Sequence, residues 1–122
     1  MDSREEDGCA FNSDQERSER IRILNDELRR CRRGGQMFIT QGVCSLGQDL
    51  MPQVVIEVAQ FEAFTPDNDP HGEHDFGALE VSGHRIFWKI DYYDHDMEFG
   101  SSDPADPSVT TRVLTVMLAS EY

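Results

Sequence analysis

Basic residues are scarce in this sequence. Its 122 residues include 11 Lys and Arg against 24 Asp and Glu, which gives a formal net charge of −13 at pH 7. The shortage is sharpest between Glu62 and Asp106, where 12 acidic residues accompany only Arg85 and Lys89. Because a surface of this sign repels phosphates, we expect no direct binding of nucleic acid by this segment.

Long apolar runs and paired cysteines are also missing. No stretch approaches the ~20 apolar residues that a membrane-spanning helix needs, and residues 1–8 lack the basic and apolar regions of a signal peptide. The cysteines, Cys9, Cys31 and Cys44, form no close metal-binding pair and leave an odd thiol under any disulfide scheme. We therefore expect a cytoplasmic protein with no membrane partner.

The hydrophobic content is sufficient for one folded domain. Hydrophobic residues make up 38% of the chain, and its length suits a single core. Residues 1–12 lack periodicity and are predicted to form a mobile acidic tail. Residues 13–122 are predicted to form one α+β domain, in which a small antiparallel sheet built on a β-hairpin packs against two or three helices.

Helical patterns occur in three segments. The first is predicted to begin at Ser13 or Asp14 and to continue through Cys31. The second begins near residues 47–49, with a proline in its first turn. The third covers residues 108–120, although its β-branched content leaves a strand as the alternative.

Ser82 and Gly83 separate two runs of alternating polar and apolar residues, which predicts a β-hairpin with a two-residue loop. On the core face this register places the large apolar residues of the second strand, Ile86, Trp88 and Ile90. Extended further, the same register places His74 opposite Asp91. A carboxylate next to an imidazole is an arrangement found in metal sites and in general bases.

Potential metal ligands are dense on both sides of this hairpin. Imidazole combined with carboxylate suits zinc, manganese or iron, and the candidate ligands are His71, His74 and Asp91. The same loop residues are also suited to cap turns through bonds from side chain to backbone. No zincin helix or EF-hand loop is present, so we expect no cofactor and keep a divalent metal as the alternative.

A catalytic role would require a base and a group that orients substrate. In a metal-dependent hydrolase, Glu73 or Asp75 would act as the base and Tyr92 would orient the substrate. The sequence assigns none of the three as catalytic. A tyrosine at the end of a strand is also a common structural residue, so the balance favours a protein that is not an enzyme.

The leading hypothesis is a non-enzymatic interaction module that docks on the basic surface of a partner protein. One version is an anti-defence protein that imitates the charge of DNA. The carboxylates predicted to form its interaction surface are Asp67, Asp69, Asp94, Asp96 and Glu98. A homodimer is a further hypothesis, in which the arginines between Arg29 and Arg33 bind the acidic face of a second copy; alternatively, these arginines only complement the dipole of the first helix.

Four segments resemble the bacterial domain-of-unknown-function family 3768. They are TPDNDPHGEHDFG at residues 65–77, FWKIDYY at 87–93, DPADP at 103–107, and the segment from Arg112 to Tyr122. The resemblance extends from about Ile21 to Tyr122. That family has no established activity, and the resemblance implies a small intracellular bacterial protein that is often carried on mobile elements.

Overall fold

The structure is a computed structural model that describes residues 3–122, with side chains from residue 14 onward. Its helices are α1 (Ser3–Cys31), α2 (Gln41–Cys44) and α3 (Leu50–Gln60). Its strands are β1 (Gln36–Ile39), β2 (Phe76–Val81), β3 (His84–Tyr93) and β4 (Thr111–Leu118). Short 3-10 turns lie at Pro107–Val109, before β4, and at Ala119–Glu121, after it. The predicted α+β class is confirmed.

The four strands form one sheet in the order β1, β4, β3, β2. β3 pairs with β2 and β4 in antiparallel fashion, whereas β1 and β4 are parallel. The predicted hairpin is confirmed with its register, which runs from Val81 opposite His84 to Phe76 opposite Lys89. Ser82 has φ 51° and Gly83 has φ 84°, the positive values that a two-residue hairpin loop requires.

The helices supply the core on one face of the sheet. The buried cluster joins α1, α2 and α3 to β2, β3 and β4, and consists of Leu28, Val43, Val54, Val58, Val81, Ile86, Trp88, Ile90, Leu114 and Val116. The core face predicted for the hairpin is therefore confirmed. Within the part of the chain that the structure describes, no helix combines the length and the apolar character needed to cross a membrane.

The helix predicted for residues 108–120 is wrong, since this segment forms the strand β4. β4 lies between β1 and β3, and both of its faces carry buried residues, Val113 and Met117 on one and Leu114 and Val116 on the other. The sequence of a strand buried on both faces is a nearly continuous apolar run rather than an alternation of polar and apolar residues. The preceding cap at Asp106 does form, but it caps a 3-10 turn by accepting from the Ser108 N–H at 2.9 Å.

The two other predicted helices form; α3 begins where predicted and α1 begins earlier. α3 follows Asp49 and has Pro52 in its first turn, as expected. α1 has the bounds Ser3–Cys31, so neither Ser13 nor Asp14 is its first residue. The mobile tail predicted for residues 1–12 stays a prediction. Residues 1–2 and the side chains of residues 3–12 lie outside the part of the chain that the structure describes.

Candidate functional site

The loop before β2 is held in shape by its own side chains. The Thr65 N–H donates to Asn68 Oδ1 at 2.8 Å, and the Asn68 N–H donates to Thr65 Oγ1 at 3.3 Å. Asp69 Oδ1 accepts from the N–H groups of both Glu73 and His74 at 3.2 Å. These are the bonds from side chain to backbone that a turn-forming role predicts. The Asp69 side chain is only 6% exposed, so it supports the loop rather than an outer surface.

His74 is turned toward helix α1. Its Nδ1 lies 2.9 Å from Asp26 Oδ1, and its Nε2 lies 3.7 Å from Asp69 Oδ2. The ring stacks on Phe64 with 3.7 Å between centroids and 4° between planes. An imidazole held between two carboxylates and an aromatic ring fastens the loop to the helix.

The expected pairing of His74 with Asp91 is wrong. His74 has φ 55° and lies outside β2, so the register of the hairpin does not extend to it. Because Ile90 is buried in the core, the next side chain, Asp91, projects from the opposite face of the sheet. There its Oδ2 lies 2.9 Å from Lys89 Nζ, and this hydrogen bond raises the pKa of Lys89 above its ordinary value.

The candidate metal ligands are consequently not assembled. His71 is exposed, His74 contacts Asp26 and Asp91 contacts Lys89. Among the residues that the structure describes, no group of three or more His, Cys, Asp or Glu side chains is arranged to hold a metal ion.

Two of the candidate catalytic residues, Glu73 and Tyr92, come together in a part-buried polar network. The Tyr92 hydroxyl donates to Glu73 Oε1 at 3.1 Å, and Asn25 Nδ2 donates to the Tyr92 oxygen at 2.9 Å. Asn25 Nδ2 also donates to the Glu73 carbonyl at 2.9 Å, while Asn25 Oδ1 accepts from Arg112 Nε at 2.6 Å. Arg112 donates onward to the Pro104 carbonyl. The network therefore joins α1, the loop and the two central strands.

Burial controls the protonation of this network. It raises the pKa of the Tyr92 phenol well above its ordinary value, and the charges of Asp75 and Glu73 act in the same direction. Burial also raises the pKa of the Asp75 carboxyl, and Glu73 and Asp69 add to that effect. Tyr92 is therefore a neutral donor rather than a phenolate nucleophile.

The sequence did not reveal the residues that organise this network. Asn25 and Arg112 belong to the network; Asp26, which contacts His74, and Arg29, which bonds to the end of α3, were missed as well. Asn25 is 0% exposed, Arg112 is 1% exposed and Arg29 is 2% exposed. One available signal was the placement of Asn25 and Arg29 beside Ile21 and Leu28 on the apolar stripe of α1, where a polar residue needs a buried partner.

Arg29 belongs to the core and not to a surface patch. Its Nη1 donates to the carbonyls of Val58 at 2.8 Å, Ala59 at 3.1 Å and Phe61 at 2.9 Å. Its Nη2 donates to Asp26 at 3.1 Å. Arg29 therefore caps the C-terminal end of α3, and burial lowers its pKa from the ordinary value. The predicted role in binding a second copy is wrong for this residue.

The acidic loops on either side of the hairpin lie at one end of the sheet. β2 begins where β3 ends, because the two strands are antiparallel. The loop before β2 carries Asp67, and the loop after β3 carries Asp94, Asp96 and Glu98; all are exposed except Asp94, which is half-buried. The ion pairs between described residues include none of these four carboxylates.

These features define a small α+β protein with an internally bonded polar network and an acidic end. The family described as "Protein of unknown function (DUF3768)" matches residues 39–121, which is more than half of the chain. The chain belongs to that family. No curated protein and no solved structure matches it significantly.

Proposed function

We propose that this protein is a non-enzymatic interaction module whose acidic end docks on a basic surface of another protein. The acidic end consists of Asp67, Asp94, Asp96 and Glu98. The observation that carries the proposal is that the hairpin brings the two loops that carry these carboxylates to one end of the sheet, without a basic side chain paired to the four carboxylates in the described part of the chain. Clustered charges of one sign accelerate encounter with an oppositely charged surface.

The partner that fits this end is a protein whose basic surface binds nucleic acid. Such surfaces are built to receive closely spaced negative charges, and the chain carries a net charge of −13. In this proposal the acidic end occupies the place of the phosphates, as an anti-defence protein that imitates DNA would.

The alternative, a metal-dependent hydrolase, has weaker support. His74 is bonded to Asp26 and Asp91 to Lys89, on opposite faces of the sheet. Glu73 and Tyr92 are bonded to each other and to Asn25. A hydrolase would therefore need to break several of these bonds before it could bind a metal and a substrate.

The proposal is tested by isothermal titration of the protein into a panel of purified basic DNA-binding proteins. The loop variant carries Asp67→Asn, Asp96→Asn and Glu98→Gln. The control variant carries Glu27→Gln, Asp49→Asn and Glu62→Gln, three exposed positions elsewhere, and has the same net charge. We expect the loop variant to bind at least one panel member about tenfold more weakly than the control.

Two results would contradict the proposal. One is that no member of the panel binds the protein. The other is that the two variants lose affinity equally, since net charge alone would then explain the binding. Addition of Zn²⁺ or Mn²⁺ to the same samples tests the hydrolase alternative, which predicts a rise in melting temperature with metal.

A further inference from the structure

Among the residues that the structure describes, none pairs with the outer edge of β2, so its backbone groups form an unbonded row. β2 is the last strand of the sheet, and its other side pairs with β3. The Ile90 N–H donates to the Asp75 carbonyl at 2.9 Å, which fixes the alternation of the antiparallel ladder. By that alternation Gly77, Leu79 and Val81 bond to β3. The N–H and C=O groups of Phe76, Ala78 and Glu80 therefore point away from the sheet.

Within the part of the chain that the structure describes, the outer edge of β2 carries one charged side chain, Glu80, and none of the other common blocks to strand addition. Edge strands are commonly blocked by proline, lysine, a bulge or a covering element. β2 has the sequence FGALEV and pairs with β3 without a bulge over its six residues. Ala78 and Glu80 are exposed, so the middle of the strand is accessible.

A groove of mixed polar and apolar lining runs beside the same edge. It has a volume of about 490 Å³ and is lined by Phe61, Ala63, Leu79 and Ala78, with Glu57 and Gln60 from α3 at its side. Side chains of an added strand would alternate between this groove and the opposite face. On the opposite face they would lie beside Glu80.

The negative charges around the β2 edge favour the binding of a basic strand. Glu57 lies at the groove and Glu80 lies on the exposed face. Arg85 is opposite Glu80 in the ladder, but its guanidinium lies over the Phe87 ring at 5.8 Å from the centroid. A second copy of this chain would bring its own Glu57 and Glu80 to an edge that already carries both, so it offers no charge complementarity there.

We infer that the β2 edge binds an extended segment of the partner protein, in which aliphatic residues alternate with lysine or arginine. The segment adds a fifth strand to the sheet through Phe76, Ala78 and Glu80. Its aliphatic side chains fill the groove and its basic side chains meet Glu80. This inference rests on the proposed function, because it names the part of a basic partner that the protein holds.

The probe is a ten-residue peptide in which lysine alternates with valine, and the readout is amide hydrogen exchange by NMR. We expect the Ala78 and Glu80 amides to exchange about tenfold more slowly with saturating peptide. The Gly77 and Leu79 amides, already bonded to β3, should change little. This alternation distinguishes strand addition from general electrostatic binding.

Two matched changes test the same contact. Ala78→Pro removes an outward N–H without removing a bond to β3, and should weaken peptide binding about tenfold; Ala78→Val, which keeps the N–H, should bind normally. If the proline variant fails to fold, N-methylation of the peptide along one edge tests the contact with the native protein. It should abolish binding when it blocks the edge that faces β2.

Failure to bind the lysine–valine peptide, or protection without alternation, would overturn the inference. So would protection of Ala78 and Glu80 that grows with protein concentration in the absence of peptide, since a second copy would then occupy the edge. If the peptide fails while basic proteins still bind through the acidic end, only this inference falls. If the loop variant and its control are equally weak, the proposed function falls instead.

Discussion

Gly77 lies directly against the indole ring of Trp88. A Cβ placed on Gly77 would be 2.3 Å from Trp88 Nε1, and real atoms do not approach so closely. The two residues are partners in the β2–β3 ladder, and Trp88 is fully buried. The absence of a side chain at position 77 therefore sets how close the ring can lie to the edge strand.

Gly77→Ala should destabilise the protein by about 1–3 kcal/mol, because the added methyl group forces either the ring or the strand to move. Chemical denaturation measures the change. Gly100→Ala is the control, since a Cβ there would lie 3.7 Å from the Tyr92 carbonyl, an ordinary contact. Equal stability of the two variants would show that the Trp88 packing is looser than described.

Arg29→Met should be among the most destabilising single changes, at about 3 kcal/mol or more. It removes the guanidinium donor of the Val58, Ala59 and Phe61 carbonyls, of which Val58 keeps the Phe61 N–H at 3.3 Å, and each buried polar group left unpaired costs ~1–3 kcal/mol. Arg30→Met is the control, because Arg30 is exposed and lies 3.6 Å from Glu62, a pair worth ~0–1 kcal/mol. Thermal melts of both variants measure the two losses of stability. A loss for Arg30→Met as large as that for Arg29→Met would contradict the prediction.

Tyr92→Phe should cost about 1–2 kcal/mol, since it removes one partner from both Asn25 and Glu73. Tyr93→Phe is a matched control on the neighbouring residue, which projects from the opposite face of the sheet. The free energy of unfolding of each variant gives the comparison. If Tyr92→Phe is as stable as Tyr93→Phe, the polar network contributes little to the fold.

Asp75→Asn should stabilise the protein at neutral pH. The folded-state pKa of Asp75 is raised, first by burial and then by Glu73 and Asp69. The folded state therefore binds this proton more tightly than the unfolded state, and stability is lost as pH rises from the ordinary carboxyl pKa of 3.8 through the raised folded pKa. The stability advantage of Asp75→Asn should disappear below pH 3.8, where the Asp75 carboxyl is protonated in both the folded and the unfolded state.

Melting temperatures from pH 2 to pH 8 would test this sign. Asp67→Asn is the control, because it makes the same change in net charge at an exposed position. A melting temperature of Asp75→Asn that does not exceed that of Asp67→Asn at pH 7 would contradict the prediction.

Local signals account for the parts of the fold that the sequence predicted correctly. Ser82 and Gly83 set a two-residue loop, and the alternation around them set which face of β3 is buried. β4 was mistaken for a helix because its buried position between two strands removes the alternation that identifies a strand. The hairpin register did not extend to His74, because its left-handed backbone conformation takes it out of the strand and no local sequence rule predicted that conformation.

The polar network depends on contacts that no local pattern contains. Arg112 meets Asn25 across 87 positions of sequence, and His74 meets Asp26 across 48. The polar residues of the loop were visible in the sequence, and so was the excess of acid. Their partners on α1 were not, because an isolated polar residue on an apolar helix face specifies a need for a partner but not which residue meets it.

The most direct test of the acidic end is the association rate constant with a basic DNA-binding partner, measured by stopped flow as salt is raised. Exposed charges act chiefly on this rate, and salt screens them. We predict that the native rate falls steeply with salt, and that the variant with Asp67→Asn, Asp96→Asn and Glu98→Gln is slower and less sensitive to salt. Identical rates and slopes for the two proteins would contradict the account.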